Sequence, residues 1–166
     1  MKKLLLIIIV FVTSLSFGQT AKEFEDKGIA KYGLNDFKGA IVDYTKSLEL
    51  SPNSLTFTLR AMSKFELKDY QEAIADFTQA IKYNGKNGFA YVNRGKAKFE
   101  NSDLKGAIVD YTKAIKINPK DEEAYFNRGY AKYFLKDKVG ACLDINKAIK
   151  LGYSQENKFY WKDLCE

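Results

Sequence analysis

The residues whose type and spacing first suggest chemistry are four aspartates, Asp43, Asp76, Asp110 and Asp144. Carboxylates held close together do general acid–base work when their protonation is split between them. These four recur at a near-constant interval, once per unit of a repeating sequence. That regularity assigns them to structure, and each is expected to pair with Arg60, Arg94 or Arg128 between neighbouring units. The remaining options for catalysis are few. The chain has no histidine, which removes Ser–His and Cys–His nucleophiles and the usual zinc sets that contain His. The two cysteines, Cys142 and Cys165, stand too far apart in sequence to form a metal motif. No glycine-rich phosphate loop is present. The reading is therefore a protein that is not an enzyme, with no catalytic residue, no cofactor and no metal.

The elements that carry these aspartates explain their spacing. Segments 36–48, 69–81, 103–115 and 137–149 align without gaps, and a second related segment precedes each, clearest at 90–99 and 124–133. In the third copy Tyr91, Ala97, Ala107, Ile108, Tyr111, Ala114 and Ile115 fall at three- and four-residue spacings, the period of an amphipathic helix. Pro52, Pro119, Gly85 and Gly152 sit just beyond helix ends. Asp36, Asp69, Asp103 and Asp137 are expected N-caps, with Glu72 completing a capping box on Asp69. Short connections then force antiparallel pairs. Small residues recur at Gly28, Ala61, Gly95 and Gly129 in the first helix and at Ala40, Ala73, Ala107 and Ala141 in the second. They are expected to face one another and let the helix axes approach to the lower end of the ~8–10 Å range. The aromatics Tyr44, Phe77 and Tyr111 are expected to fill the space between repeats.

This pattern resembles the tetratricopeptide repeat family. Gly95, Ala107, Tyr111, Ala114 and Pro119 stand at its eighth, twentieth, twenty-fourth, twenty-seventh and thirty-second positions, and Gly28, Ala40, Tyr44, Ser47 and Pro52 match in the first copy. The Asn-Arg-Gly triplets at 93–95 and 127–129 resemble a common subclass. The second copy lacks the Pro, and the fourth has Ile145 for the aromatic and Tyr153 for the Pro. The resemblance implies an all-α, right-handed superhelical solenoid. Its four helix–turn–helix repeats run over about 21–53, 54–87, 88–121 and 122–153. It also implies a concave groove, lined by first helices, that binds an extended peptide or a protein partner. Mapping the family's groove positions gives Met62, Phe89, Val92, Asn93, Lys96, Phe126, Asn127 and Tyr130. Asn93 and Asn127 would hold a peptide backbone, and Lys96 would meet a carboxylate. The two-carboxylate clamp of the chaperone-binding members looks incomplete, because the first repeat offers Asp26 and Ile29 in the groove.

The two ends of the chain carry further expectations. Met1-Lys2-Lys3, the apolar run from Leu4 to Val12 and the small residues Ser16 and Gly18 read as a signal peptide over 1–18. The run is too short for a retained span, which needs ~20 apolar residues. The mature chain, starting at 19, would be exported, periplasmic or secreted, with no membrane span after cleavage. Losing Lys2 and Lys3 lowers the formal charge from +6 to +4. That excess is interspersed with acids, so a solvated surface is expected and nucleic acid is not. Residues 154–166 are expected to form a capping helix over the last repeat. Cys142 lies ten residues before the turn at Gly152 and Cys165 about as far beyond it, so antiparallel helices bring them level. A Cys142–Cys165 disulfide is expected in an exported chain. The main alternative to an interaction scaffold is a structural subunit of a cell-envelope assembly, or a homo-oligomer, using the outer face. Oligomeric state and the partner's identity are not written in the sequence.

Overall fold

The computed structural model describes residues 21–153 and Cys165. The expected leader at 1–18 and the capping segment at 154–166 lie outside the described residues, Cys165 excepted. Among the described residues there are eight helices and no strand. First helices of each pair are α1 (21–33), α3 (Ser54–Glu66), α5 (Gly88–Glu100) and α7 (Glu122–Phe134). Second helices are α2 (Phe37–Leu50), α4 (Tyr70–Tyr83), α6 (Leu104–Ile117) and α8 (Lys138–Leu151). The chain is an all-α helical repeat solenoid.

The turn inside each repeat has one recurring form. Asn35, Lys68, Ser102 and Lys136 take left-handed conformations. The next amide donates back to the carbonyl of Lys31, Lys64, Lys98 or Lys132, closing the six-to-one bond of a Schellman end. Asp36, Asp103 and Asp137 then cap the second helix, each accepting from the amide of a glycine three residues on.

Asp69 does not, and the expected capping box with Glu72 is absent. The glycines show why. A Cβ at Gly39, Gly106 or Gly140 would lie within 2.2 Å of the capping carboxylate. In the second copy Glu72 carries that Cβ, so the Asp69 carboxylate cannot take the place its three counterparts share, and Glu72 reaches Lys64, at 3.3 Å. First helices have caps of their own that the repeat pattern did not reveal. Asn53, Asn87 and Asp121 accept from Thr56, Ala90 and Ala124.

The core is a chain of overlapping patches. Ala61, Ala73, Phe77 and Ala80 of the second repeat pack with Ala90 and Ala97 of the third. Tyr111, Ala107 and Ala114 pack in the same way with Ala124 and Ala131 of the fourth. Each patch thus joins one helix pair to the first helix of the next pair, and neither unit buries its apolar face alone.

Gly129 meets the second-helix alanine as expected, with an added Cβ 3.0 Å from the Ala141 carbonyl oxygen, but Gly28 and Gly95 face a ring instead. A Cβ added to Gly28 would stand 2.5 Å from Cε1 of Tyr44, and one added to Gly95 2.5 Å from Cε1 of Tyr111. The aromatic therefore lies against the glycine of its own repeat, in the space the missing side chain leaves.

Candidate functional site

The first helices line the inner side of the array. α3 touches α5 and α5 touches α7, whereas second helices of neighbouring repeats do not meet. The inner layer is therefore closely spaced and the outer layer splayed, which makes the first-helix face concave.

Ion pairs within each repeat hold this face in place. Arg60, Arg94 and Arg128 each grip an aspartate with two nitrogens, Nε at 2.8 Å and Nη2 at 2.6 to 2.7 Å, on Asp76, Asp110 and Asp144. Lys64, Lys98 and Lys132 add a second cation at 2.8 Å to the same three carboxylates. These pairs lie within a repeat, not between repeats as the sequence suggested. Arginine and aspartate are sixteen residues apart on the two antiparallel helices of one unit.

The remaining arginine nitrogen makes the link between repeats. Nη1 donates to the hydroxyl of Thr45, Thr78 or Thr112 in the preceding unit. Each threonine commits its own proton to a carbonyl four residues back, which leaves a lone pair for the arginine. The rings of Phe57, Tyr91 and Tyr125 sit against the guanidinium groups at 5.5 to 5.6 Å. The first repeat departs from this scheme. Asp43 is met by Lys31 at 2.6 Å, and the arginine position holds Lys27, which lies over Phe24.

Helical register sorts the concave face into rows. They are Lys22, Asp26 and Ile29; Leu55, Leu59 and Met62; Phe89, Asn93 and Lys96; and Glu123, Asn127 and Tyr130. Of the eight residues expected in the groove, Phe89 is open to solvent at 53 %, and Met62, Asn93, Lys96, Asn127 and Tyr130 are half-buried. Val92 and Phe126 do not line it. Val92 is 2 % exposed and belongs to the core shared with α6 and α7. Phe126 is covered by Tyr153, whose ring stacks on it at 4.3 Å, and the same burial raises the Tyr153 phenol above its ordinary range. Tyr130 belongs to an aromatic cluster with Phe99 and Phe134.

The polar residues are also partly spent. Asn93 donates to the carbonyl of Phe89 at 2.9 Å. The Asn127 amide nitrogen is enclosed without a hydrogen bond. Lys96, expected to meet a ligand carboxylate, is ion-paired with Glu123 across the groove. Lys22 is held between Asp26 and Glu25, which raise its ammonium well above the ordinary lysine range.

What the second and third rows present openly is apolar. Leu55 is as open as Phe89, at 55 %, and Ile29, which holds the place of Met62 in the first repeat, is exposed too. Leu55 escaped the sequence reading, although it holds the register of Phe89 one repeat earlier and that period marked it. Among the described residues no group of His, Cys, Asp and Glu could hold a metal ion.

Paired helices stacked in register around a concave inner face define an α-solenoid repeat protein. Family models place the class more narrowly. A tetratricopeptide repeat model matches residues 56–87, and a second, described as TPR repeat, matches 95–135. The chain belongs to the tetratricopeptide repeat family.

Solved structures agree on the fold. The first TPR domain of Spaghetti (RPAP3), bound to the HSP90 peptide SRMEEVD, is 29 % identical with a TM-score of 0.69, over 71 % of this chain and 94 % of that one. The second TPR domain of human RPAP3, in complex with the HSP70 peptide SGPTIEEVD, is 26 % identical with a TM-score of 0.68, over 70 % and 98 %. MamA from Desulfovibrio magneticus RS-1 shares the fold at 22 % identity and a TM-score of 0.76, over 82 % and 77 %. No curated protein matches the chain.

Proposed function

We propose that this protein is a protein-interaction scaffold that is not an enzyme. In this reading its concave groove takes an extended segment of a partner through apolar side chains seated on Leu55, Met62 and Phe89. One observation carries the reading. The open positions of the second and third rows are apolar, while the groove's cations, Lys22 and Lys96, are already neutralised by Asp26, Glu25 and Glu123. Peptide binding by the RPAP3 domains supports the scaffold role. Their peptides end in an acidic run, EEVD, and such a run needs free cations that this groove does not offer. Asn93, with one amide hydrogen used internally, keeps its carbonyl oxygen for a peptide N–H. Export through the segment at 1–18 belongs to the same proposal, and N-terminal sequencing of the cell-derived protein tests it.

Selection of a displayed peptide library on the chain tests the groove. The expected outcome is a consensus with two or more apolar residues, lost when Leu55→Asp and Phe89→Asp are combined. Binding of the peptide SRMEEVD as tight as that of any selected apolar peptide would refute the reading.

A further inference from the structure

Along the sequence lysines alternate with acids, but folding separates the two. Asp110 and Asp144 turn inward to the arginines and are 1 % and 5 % exposed, and Asp103 and Asp137 spend an oxygen each on a helix cap. What remains on the outside of α6 is Lys105, Val109, Lys113 and Lys116, a single stripe at helical spacing. The outside of α8 repeats the stripe in the next unit with Val139, Leu143, Lys147 and Lys150. None of the five lysines is in an ion pair among the described residues. Val109, Leu143 and Val139 are 57 %, 68 % and 75 % exposed. The outer face of the last two repeats is thus basic at one end and aliphatic at its centre, with no exposed carboxylate on either stripe. Dispersed along the sequence, the charge looked like a solvated surface. In the fold it forms a basic surface, because the aspartates of these helices are spent on the interior and on the caps.

We infer that this outer face docks on the surface of an anionic phospholipid membrane. Lysines would meet headgroup phosphates while the three aliphatic side chains enter the boundary between headgroups and acyl chains. The chemistry favours a membrane over nucleic acid. The stripes carry no arginine or aromatic residue to address bases, since every arginine of the array is bound to an aspartate. Asn146, exposed beside Leu143, is one amide against five lysines, and branched aliphatics gain nothing against a phosphate backbone. Lysine stems lie along apolar surface and lift their charge to an interface, which suits a headgroup layer. The attachment is peripheral, because no helix among the described residues is long and apolar enough to cross a membrane. It also leaves the concave groove free, so it is independent of peptide binding.

Cosedimentation with vesicles of the mature chain, starting at residue 19 and so free of the apolar run from Leu4 to Val12, tests this. Vesicles containing phosphatidylglycerol should bind it and pure phosphatidylcholine vesicles should not, with binding falling steeply as salt is raised. Each lysine near such a surface contributes on the order of fivefold, so combining Lys105→Gln, Lys113→Gln and Lys116→Gln should weaken partitioning on the order of a hundredfold. Combining Lys68→Gln, Lys86→Gln and Lys120→Gln, at the turns, changes net charge equally and should leave binding within about twofold of the parent, because the effect of a charge fades within a Debye length of the surface. Retained helical circular dichroism shows that both triple variants are folded. Equal binding to neutral vesicles, equal loss in the turn variant, or tighter binding to duplex DNA than to anionic vesicles would overturn the inference.

Discussion

Replacing Gly95 with alanine puts two opposed effects in one substitution. In the middle of a helix, Gly→Ala ordinarily stabilises by about 1 kcal/mol, because alanine gives up less backbone entropy. At Gly95 the added methyl would stand 2.5, 2.9 and 3.0 Å from Cε1, Cδ1 and Cζ of Tyr111. That is nearly an ångström inside ordinary contact. The ring is itself buried, with α5 on one side and the alanines of α6 and α7 around it, so it has no open side to move into. Overpacking of this kind costs typically about 1–3 kcal/mol, and the closeness here places it near the upper end. The net expectation is a loss of about 2 kcal/mol, or roughly 4–8 °C in Tm for a chain of this size. Gly33, at the end of α1, has nothing within 4 Å of its added Cβ and no left-handed backbone. There the same substitution should be neutral or stabilise by up to about 1 kcal/mol. Urea unfolding followed by helical circular dichroism measures both variants on one scale. If Gly95→Ala raised the midpoint as Gly33→Ala does, the close approach of α5 to the Tyr111 ring, and the packing argument built on it, would be wrong.

Other perturbations reach different parts of the array. Arg94→Ala strips the buried Asp110 of its bidentate partner and cuts the link to Thr78. Calorimetry should show a loss of about 3 kcal/mol, the scale for a buried carboxylate deprived of its partner, and a smaller loss for Lys98→Met. The buried hydroxyl of Tyr44 has no hydrogen-bond partner, so Tyr44→Phe should stabilise by about 1 kcal/mol in the same assay. Burial also pushes the Tyr44 phenol up to about 12. Because the unfolded phenol ionises near pH ~10, stability present below that pH should fall as pH rises from about 10 through 12. Urea midpoints across that window should decline less steeply in Tyr44→Phe. The sulfurs of Cys142 and Cys165 are joined, with a sequence separation of 23. Protein recovered from cells without reductant should be lighter by two hydrogen atoms than after reduction, and reduction should lower stability by about 3 kcal/mol.

Much of the fold was legible because repetition turns one local pattern into four independent readings. Helix positions, the αα pairing and the family followed from apolar period, small residues and punctuation, all of which act over a few residues. The contacts that depend on how one helix meets another did not follow. Arg94 lies sixteen residues from both Asp110 and Thr78, so spacing alone could not say which it grips and which it merely touches. The missing cap at Asp69 did not follow either, because the place its counterparts' carboxylates share is the space a glycine leaves three residues on, and Glu72 fills that space. Groove mapping by register found Phe89 and Met62. Val92 and Phe126 share a helical face with open positions, and only the neighbouring repeat and the ring of Tyr153 bury them.

By itself the sequence determined what local chemistry determines: four amphipathic helix pairs, no histidine for nucleophilic or zinc chemistry, and a period that fixes the stack. Tertiary structure alone decided which charges are spent and which are offered. By drawing the aspartates of the second helices inward to the arginines, folding turned an evenly mixed sequence into a concave face whose cations are neutralised and an outer face whose lysines are free.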